Sequence, residues 1–334
     1  MNPPDKRSNH MPIALICGIS GQDGSYLARL LLKKGYAVYG GYRGDHGSNF
    51  SNLQRLDVYS KVKLLSMNLQ NSRSVAQVLQ KIRPDEVYNL SGQSSVGLSF
   101  ERPVETLESI AIGTLNLLES IRSIGYSIRF FSAGSSECFG RTNGMPANEH
   151  TPFQPSSPYG IAKATAFWEV VNYREAYKLY ACTGILFNHE SPLRSARFVT
   201  RKIISTACRI AAGNPEKLHL GNMEIERDWG WAPEYVEAMW LMLQEVEPSD
   251  FIIATGTSNR LLDFVQEAFS YVGLEWRDHI ETDPDLFRPA DIITARADLS
   301  RAESILGWKA TKHMSDIIHI MVDVEQGEIE IQNL

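Results

Sequence analysis

The feature that most constrains this chain is a glycine-rich loop between a short apolar segment and an amphipathic one. The apolar run from Ile13 to Cys17 predicts a buried strand, and the helical periodicity from Ser25 to Lys34 predicts a helix. The loop between them contains Gly18, Gly21 and Gly24. Glycines at such a position let the backbone turn tightly and approach a pyrophosphate, which the free N–H groups of the helix would bind. The loop therefore predicts a dinucleotide site, with an ordinary structural turn as the alternative.

Apolar runs and helical patterns then alternate over more than half of the chain. Further strands are predicted at Ala37–Tyr42, Val62–Met67, Glu86–Leu90, Ile128–Ser132 and Thr183–Phe187. Helices are predicted at Ser72–Ile82, Val104–Ile124 and Tyr159–Leu179. Alternation of this kind is typical of βαβ units, which build a parallel sheet covered by helices on both faces. The predicted fold class is α/β, a Rossmann-type doubly wound parallel sheet, whose ligands bind beyond the carboxyl ends of the strands.

The alternating pattern ends after the last of these strands, where polar segments rich in arginine and proline begin. We therefore expect a flexible N-terminal tail at 1–11, a dinucleotide-binding domain at 12–187 and a smaller, irregular domain at 188–334. The apolar run Phe251–Thr255 predicts a return to the main sheet around 228–256. The smaller domain is expected to cover the ligand edge of the sheet.

Composition excludes several classes of function. The chain has 33 Lys and Arg against 39 Asp and Glu, a formal net charge of −6 and no basic block, so no nucleic-acid partner is expected. No apolar stretch approaches the roughly 18 residues that cross a bilayer, so no membrane partner is expected either. The cysteines have neither zinc-ligand nor disulfide spacing, which predicts no metal and a reducing, cytoplasmic location; they are Cys17, Cys138, Cys182 and Cys208.

The end of the second predicted strand selects between the two nicotinamide dinucleotides. An acidic side chain there hydrogen-bonds the adenosine ribose of NAD, whereas an arginine pairs with the 2′-phosphate of NADP. Arg43 follows this strand directly, which favours NADP. Asp45 keeps NAD as the alternative, and a solvated surface arginine is the ordinary structural explanation of Arg43.

Tyr159 and Lys163 are spaced to act together, because residues four apart share one face of the helix that begins after Pro158. A free tyrosine has a pKa near 10, but a neighbouring ammonium and an oxidised nicotinamide both favour the phenolate. The pair could then take a proton from an alcohol as its hydride leaves. An aromatic side chain beside a surface lysine is the structural alternative.

Three residues follow the fifth predicted strand, at the edge where chemistry is expected. Ser135 could hydrogen-bond a substrate hydroxyl. Glu137 would point to the same side as Ser135 if the extended conformation persists, and would add a second acid or base; a helix-capping carboxylate is the alternative. Cys138 would then point to the opposite face, and no histidine is placed beside it by spacing, so it is not predicted to be a nucleophile.

These residues lie in longer segments that resemble the GDP-mannose 4,6-dehydratase family, within the extended short-chain dehydrogenase/reductase superfamily. The resemblance extends from about Ile13 to Trp308 and is carried by GISGQDGSYL, SSECFG, SPYGIAK, NHESP, FVTRKI, RDWGWAPEY and FRPAD. NHESP, FVTRKI and RDWG are far more specific than the glycine-rich loop or the Tyr-Lys pair. The resemblance implies a hydro-lyase that uses NADP to convert GDP-D-mannose to GDP-4-keto-6-deoxy-D-mannose.

The resemblance also implies a reaction sequence. Tyr159 would deprotonate the 4-hydroxyl while hydride moves from C4 to NADP⁺, and the resulting ketone would acidify the proton at C5. Glu137 would remove that proton and deliver it to the departing C6 hydroxyl, which leaves as water. The hydride then returns to C6, and C5 is reprotonated. The net reaction is dehydration, and Glu137 distinguishes it from plain alcohol oxidation.

Site residues follow from the resemblance position by position. The cofactor residues that it implies are Gly18, Ser20, Gly21, Gln22, Asp23, Gly24, Arg43, Asn68, Leu69, Leu90, Ser91, Gln93, Tyr159, Lys163, His189 and Arg194. The substrate residues that it implies are Ser94, Asn188, Val199, Lys202, Arg227, Arg288 and Asp291. Three separated cations in the second set suit a diphosphate, because charge-assisted hydrogen bonds are strong.

The chain also departs from the family's pattern. Ser135 stands where a threonine is usual. This serine and the SSECFG segment also resemble relatives that act on GDP-D-glycero-D-manno-heptose, which is the alternative substrate. The usual double arginines are Arg43-Gly44 and Leu193-Arg194 here, which puts a homotetramer in doubt. The tyrosine expected before Thr106 is Glu105. Fold analogy predicts a homodimer through the helices at 104–124 and 159–179. A C4 epimerase or reductase of the superfamily, and a non-catalytic nucleotide-sugar sensor, are the other functional hypotheses.

Overall fold

The computed structural model describes residues 11–44 and 49–334. Two predictions therefore fall largely outside the described residues. These are the N-terminal tail, of which only Met11 is described, and the acidic residue Asp45.

Twelve strands are present in the described parts of the chain. They are β1 (Ile13–Cys17), β2 (Ala37–Tyr42), β3 (Lys63–Ser66), β4 (Glu86–Asn89), β5 (Arg129–Ala133), β6 (Ala181–Leu186), β7 (Asn188–Glu190), β8 (Leu218–Leu220), β9 (Glu226–Trp231), β10 (Phe251–Ile253), β11 (Ser258–Arg260) and β12 (Ile280–Thr282). Seven of them form one parallel sheet in the order β3-β2-β1-β4-β5-β6-β10. The order reverses direction between β1 and β4, which is where a doubly wound sheet binds its ligand. The predicted α/β fold class is confirmed.

Eleven α-helices accompany these strands in the described residues. They are α1 (Gln22–Lys33), α2 (Ser51–Arg55), α3 (Ser72–Ile82), α4 (Val96–Glu101), α5 (Pro103–Leu107), α6 (Gly113–Ser123), α7 (Pro158–Tyr177), α8 (Val199–Ala211), α9 (Ala232–Met242), α10 (Leu261–Tyr271) and α11 (Met314–Gln326). None of the described helices is long and apolar enough to cross a membrane.

The large sheet is buried on both faces, which explains why its strands are continuous apolar runs rather than alternating ones. On one face, Ile16 of β1 shares a core with Leu27 of α1 and Met239 of α9. On the other face, Leu15 shares a core with Leu117 of α6, together with side chains of α3 and α7. Successive residues of one strand therefore pack against different helical layers.

The remaining elements form a second cluster. β7, β9 and β11 make a three-stranded sheet, and β8 pairs with β12. Helices α8, α10 and α11 share a core that includes Ile204, Phe264 and Met321. The segment predicted to return supplies α9, which packs on α1, and β10, which pairs with β6. The domain boundaries themselves stay predictions.

Two helices differ from their sequence predictions. The first begins at Gln22 rather than Ser25, so that Gly24 lies in its first turn. The helix predicted at Val104–Ile124 is α5 and α6 joined by a π-helical segment, Glu108–Ile112. A π segment of this kind adds a residue to one turn, which apolar periodicity cannot reveal over so short a distance.

Candidate active site

The glycine-rich loop requires glycine at two positions for different reasons. Gly18 has φ +85°, and a Cβ atom there would lie 2.8 Å from the carbonyl oxygen of Leu90. A Cβ atom on Gly24 would lie 2.4 Å from the carbonyl oxygen of Gly18, so only glycine lets α1 pack this closely on the loop. The Gly21 amide donates to the same oxygen at 3.1 Å. The loop is therefore a tight backbone cradle at the N-terminus of α1.

A cleft of about 810 Å³ opens at this edge of the large sheet. Its volume is in the range of small-molecule and cofactor sites. The structure brings most of the predicted cofactor residues into its lining, together with the predicted substrate residue Ser94; they are Gly18, Ser20, Gly21, Gln22, Asp23, Gly24, Arg43, Asn68, Leu69, Leu90, Ser91, Gln93 and Arg194. The cleft therefore joins residues from segments more than 170 positions apart in sequence, from Gly18 to Arg194.

The residues predicted to contact the adenosine half of the cofactor line the cleft together. Arg43 lies there, directly after β2. The Asn68 side-chain oxygen accepts from the Gln70 amide at 3.0 Å, and the Leu69 carbonyl accepts from Asn116 Nδ2 at 2.7 Å. Sequence reasoning missed two lining residues here, Asn52 and Met67, because neither lies in a recognisable motif. Asn52 donates from Nδ2 to the carbonyl of Ser20 at 3.2 Å and so fixes the loop.

The side chain of Gln93 is held by its own neighbours. Its Nε2 atom donates to the Ser95 carbonyl at 2.7 Å and to Thr106 Oγ1 at 3.2 Å, and its Oε1 atom accepts from the Ser95 amide. These bonds fix the segment after β4. The predicted contact of Gln93 with a cofactor stays a prediction, and this geometry supports a backbone rather than a side-chain contact.

Asp23 and His189 form a buried pair between α1 and β7. His189 Nδ1 lies 2.8 Å from the carbonyl oxygen of Phe187, and Nε2 lies 2.8 Å from Asp23 Oδ2. A carbonyl and a carboxylate both accept hydrogen bonds, so this arrangement favours the protonated ring, in which both nitrogens donate. Burial disfavours this charge, but the Asp23 carboxylate outweighs burial and raises the pKa of His189. Burial likewise opposes the Asp23 carboxylate, yet the histidine lowers the pKa of Asp23.

Arg194 is neutralised by a carboxylate that sequence reasoning missed. Its Nε atom lies 3.1 Å from Oε2 of Glu190, whose side chain is almost fully buried. The same oxygen accepts from Thr200 Oγ1 at 2.8 Å. Glu190 lies within the NHESP segment, which was the available signal. It links β7, the loop of Arg194 and the start of α8.

The structure places Ser135, Tyr159 and Lys163 together at the carboxyl end of β5. All three are buried, and Lys163 Nζ donates to the carbonyl of Ala133 at 2.7 Å. The ammonium lies 5.8 Å from the centre of the Tyr159 ring. The Ser157 side chain caps α7 by accepting from the Gly160 amide at 3.0 Å, which fixes the turn that carries Tyr159.

Burial dominates the electrostatics of this group. It raises the pKa of Tyr159 well above its ordinary value, and a hydrogen bond with Ser135 offsets only part of that rise. Burial also lowers the pKa of Lys163 to about 8. Burial thus opposes the phenolate. The expectation that Lys163 and an oxidised nicotinamide together favour it stays a prediction.

The extended conformation predicted at Glu137 is wrong, although the residue lies close to predicted substrate residues. Residues Ser136–Cys138 form a 3₁₀ turn. The Glu137 N–H within this turn donates to Ser135 Oγ at 3.3 Å. The strand therefore does not persist, and the alternation argument fails. Burial raises the pKa of Glu137, while the charges of Arg227 and Arg288 lower it. The carboxyl group thus lies in the field of two predicted substrate arginines.

Cys138 is excluded as a nucleophile by burial rather than by strand alternation. Its side chain is 1% exposed, and burial raises the pKa of its thiol to about 12. A thiol with such a pKa is inert at neutral pH.

Three predicted substrate residues form one ion cluster beside Glu137. Arg227 Nη2 donates to Asp291 Oδ1 at 2.9 Å, and Arg288 Nη1 lies 3.4 Å from the same oxygen. Asn188 begins β7 and Val199 begins α8. Lys202 donates from Nζ to the His219 carbonyl at 2.7 Å, and no hydrogen bond or ion pair among the described residues joins it to the cluster. The structure thus groups two of the three predicted diphosphate cations.

Comparison with known proteins finds relatives over nearly the whole chain. Residues 15–321 match the model of a protein family described as GDP-mannose 4,6 dehydratase. GDP-mannose 4,6 dehydratase 1 of Arabidopsis thaliana is 49% identical over 324 residues, which cover 93% of this chain and 89% of the relative. The GDP-mannose 4,6 dehydratase of Homo sapiens is 41% identical over 340 residues, which cover 94% of this chain and 91% of that protein.

Solved structures support the fold. A UDP-glucose 4-epimerase from Thermotoga maritima, with UDP-glucose, matches with a TM-score of 0.85 at 21% identity and covers 95% of this chain and 99% of that chain. A dTDP-glucose 4,6-dehydratase from Streptomyces venezuelae, with NAD bound, matches with a TM-score of 0.85 at 18% identity and covers 94% of this chain and 97% of that chain. At these identities the likeness shows a shared Rossmann-type fold.

Proposed function

The chain belongs to the GDP-mannose 4,6-dehydratase family, and from this premise we propose that it removes water from GDP-D-mannose, using NADP, to give GDP-4-keto-6-deoxy-D-mannose. The observation that carries the proposal is the position of Glu137. Glu137 follows Ser135 by two residues, and its carboxyl group lies in the electric field of Arg227 and Arg288. Oxidation, epimerisation and reduction at C4 have no use for this second acid or base.

The residues of the cleft fit a nicotinamide dinucleotide. The cradle of Gly18 and Gly24 and the free amides of α1 suit a diphosphate, and Arg43 at the end of β2 supports NADP over NAD. The solved relatives include one with NAD and a Pseudomonas aeruginosa protein complexed with NADPH. The chemistry that a bound dinucleotide supplies is reversible acceptance of hydride, together with a positive charge that favours the Tyr159 phenolate.

Tyr159 is proposed to take the proton from the 4-hydroxyl of the sugar. Ser135 supports this role because its side chain lowers the pKa of the phenol, and its hydroxyl could also hold the substrate oxygen. Lys163 fixes the first turns of α7 against the end of β5 through its bond to Ala133. The ketone that results at C4 acidifies the proton on the neighbouring carbon, which makes removal at C5 possible at neutral pH.

Glu137 is proposed to remove the C5 proton and to pass a proton to the departing C6 hydroxyl. A group that serves as base and then as acid works best with a pKa near the operating pH. Burial moves the pKa of Glu137 upward from its ordinary acidic value, and the two arginines limit that rise. The same arginines are proposed to bind the diphosphate of the substrate, so substrate binding and the charge of Glu137 are coupled.

The proposal is tested by incubating the purified protein with GDP-mannose and NADP and measuring products by mass spectrometry. We expect a product lighter by one water, and deuterium placed at C4 of the sugar should be recovered at C6. GDP-D-glycero-D-manno-heptose is the second substrate of the test, since Ser135 replaces the usual threonine. Retention of the full mass with every GDP-sugar, or deuterium that never reaches C6, would contradict the proposal.

We also propose that the protein is a homodimer. Several large apolar side chains are exposed on the two helical segments that fold analogy places at an interface: Val104, Leu107, Ile112, Ile161, Trp168 and Tyr177. Trp168 is 58% exposed beside a groove between α6 and α7. Apolar surface of this kind is typical of protein interfaces. Sedimentation velocity should give the mass of two chains; a monomer at all concentrations would contradict the proposal, and four chains would indicate the tetramer instead.

A reducing, cytoplasmic location is part of the same proposal. All four cysteines are buried and free, and burial raises the pKa of each thiol. Free thiols in the absence of any disulfide among the described residues suit a reducing compartment.

A further inference from the structure

Two arginines lie against one phenylalanine ring on the wall of the cleft. The guanidinium carbon of Arg194 is 3.7 Å from the centre of the Phe198 ring, and that of Arg197 is 5.4 Å from it. All three residues line the cleft. Stacking on an aromatic ring limits the freedom of an arginine, so less entropy is lost when it binds an anion. Arg197 was not among the site residues suggested by the sequence.

The nearby basic side chains are already paired with acidic ones. Arg194 lies 3.1 Å from Glu190, and His189, which does not line the cleft, lies 2.8 Å from Asp23. Arg197 is different. Its Nη2 atom donates to the Ser94 hydroxyl at 3.4 Å, and no carboxylate of the described residues lies within ion-pair distance of it. Its charge is therefore available to a ligand.

The position of this wall relative to the glycine-rich loop is fixed by buried hydrogen bonds. Gln22, the first residue of α1, donates from Nε2 to the carbonyl of His189 at 3.1 Å. Its Oε1 atom accepts from Ser191 Oγ at 2.8 Å, and that hydroxyl also accepts from the Leu193 amide at 3.1 Å. The segment leading to Arg197 is thus anchored on the first turn of α1, where the cradle for a diphosphate lies.

We propose that Arg197 binds the diphosphate bridge of the dinucleotide, opposite the amides of the glycine-rich loop. The bridge carries two negative charges, while the N-terminus of α1 offers only about half a positive charge. Arg197 supplies the missing charge, and Phe198 orients it. The 2′-phosphate is assigned to Arg43 at the end of β2. Arg197 instead contacts Ser94, in the segment after β4. This inference rests on the dinucleotide site of the proposed function.

The test compares wild-type protein, freed of bound nucleotide, with Arg197→Gln and Arg197→Lys by calorimetric titration with NADP, NAD and GDP. Because the bridge is common to both dinucleotides, Arg197→Gln should weaken NADP and NAD by the same factor, about 10- to 100-fold. The lysine variant should recover part of this loss, and GDP binding should change less than about twofold, within the scatter of surface substitutions. Arg277→Gln is a matched control, since Arg277 is also an exposed arginine over an aromatic ring.

The alternatives give different patterns. Unchanged dinucleotide affinity would overturn the inference, and a loss confined to NADP would assign Arg197 to the 2′-phosphate instead. A loss confined to GDP would make it a substrate residue, which also overturns the inference. Wild-type protein that binds neither dinucleotide would contradict the proposed function itself, and this result is known before any variant is measured. The melting temperature of each variant identifies a loss that is due to unfolding.

Discussion

Glu137→Gln should lower the rate of water loss from GDP-mannose by roughly 10³-fold, the scale of a general acid–base contribution. Glutamine keeps the shape of the side chain and can form hydrogen bonds, but it can neither accept the C5 proton nor protonate the leaving hydroxyl. NADP binding should remain within about twofold of wild type, because Glu137 does not line the dinucleotide cleft. The measurement is the initial rate of dehydrated product by mass spectrometry, together with the affinity for NADP.

The variant also separates the proposed function from its rivals. Oxidation at C4 needs Ser135 and Tyr159 but not Glu137, so the variant should still oxidise the sugar and show the absorbance of a reduced nicotinamide. A C4 epimerase or a reductase would keep its full activity after this substitution. Glu175→Gln, the same change at an exposed position of α7, is the control for the substitution itself. Water loss at the wild-type rate in Glu137→Gln would remove Glu137 from the mechanism.

The surroundings of Glu137 explain why one carboxyl group can both accept and donate a proton. Burial favours the neutral acid, and the two arginines favour the carboxylate. These two effects oppose each other, because Arg227 and Arg288 lie close enough to lower the pKa that burial raises. Asp291 binds both arginines and reduces their influence. Substrate phosphates that compete for these arginines would shift the balance further towards the acid.

The sequence predicts the sheet well because buried parallel strands are short apolar runs with clear ends. β1, β2 and α3 have the predicted bounds, since each is followed or preceded by a residue that breaks the pattern. The dinucleotide loop is predicted for a physical reason as well. At Gly18 and Gly24 the backbone passes so close to other backbone atoms that no side chain fits.

The chain around Glu137 could not be predicted in the same way. The 3₁₀ turn depends on the Ser135 side chain and on a tertiary contact, since a Cβ atom on Gly160 would lie 2.7 Å from the Glu137 carbonyl. Gly160 belongs to α7, more than twenty residues away. Partners of site residues were missed for the same reason. Glu190 and Arg197 reach their positions in the site only when β7 and the following loop fold against α1.

Tyr159→Phe should stop the reaction one step earlier than Glu137→Gln does. The substitution removes only the hydroxyl group, so the buried ring and the packing of α7 are kept. Without the phenol no group takes the proton from the 4-hydroxyl, and turnover should fall by roughly 10³-fold or more. The dinucleotide should still bind, because the glycine-rich loop and Arg43 that are proposed to hold it are unchanged. The readouts are product formation and the absorbance of the reduced nicotinamide.

The two variants together order the steps. Glu137→Gln should still give the reduced nicotinamide signal, whereas Tyr159→Phe should give none. Neither should exchange the C5 proton with deuterium from the solvent, because that exchange needs both the ketone and the carboxylate. Tyr59→Phe, on an exposed tyrosine outside the cleft and outside the proposed interface, is the matched control and should behave as wild type. If Tyr159→Phe still exchanges the C5 proton at the wild-type rate, the ketone forms without the phenol, and the acid–base role of Tyr159 is wrong.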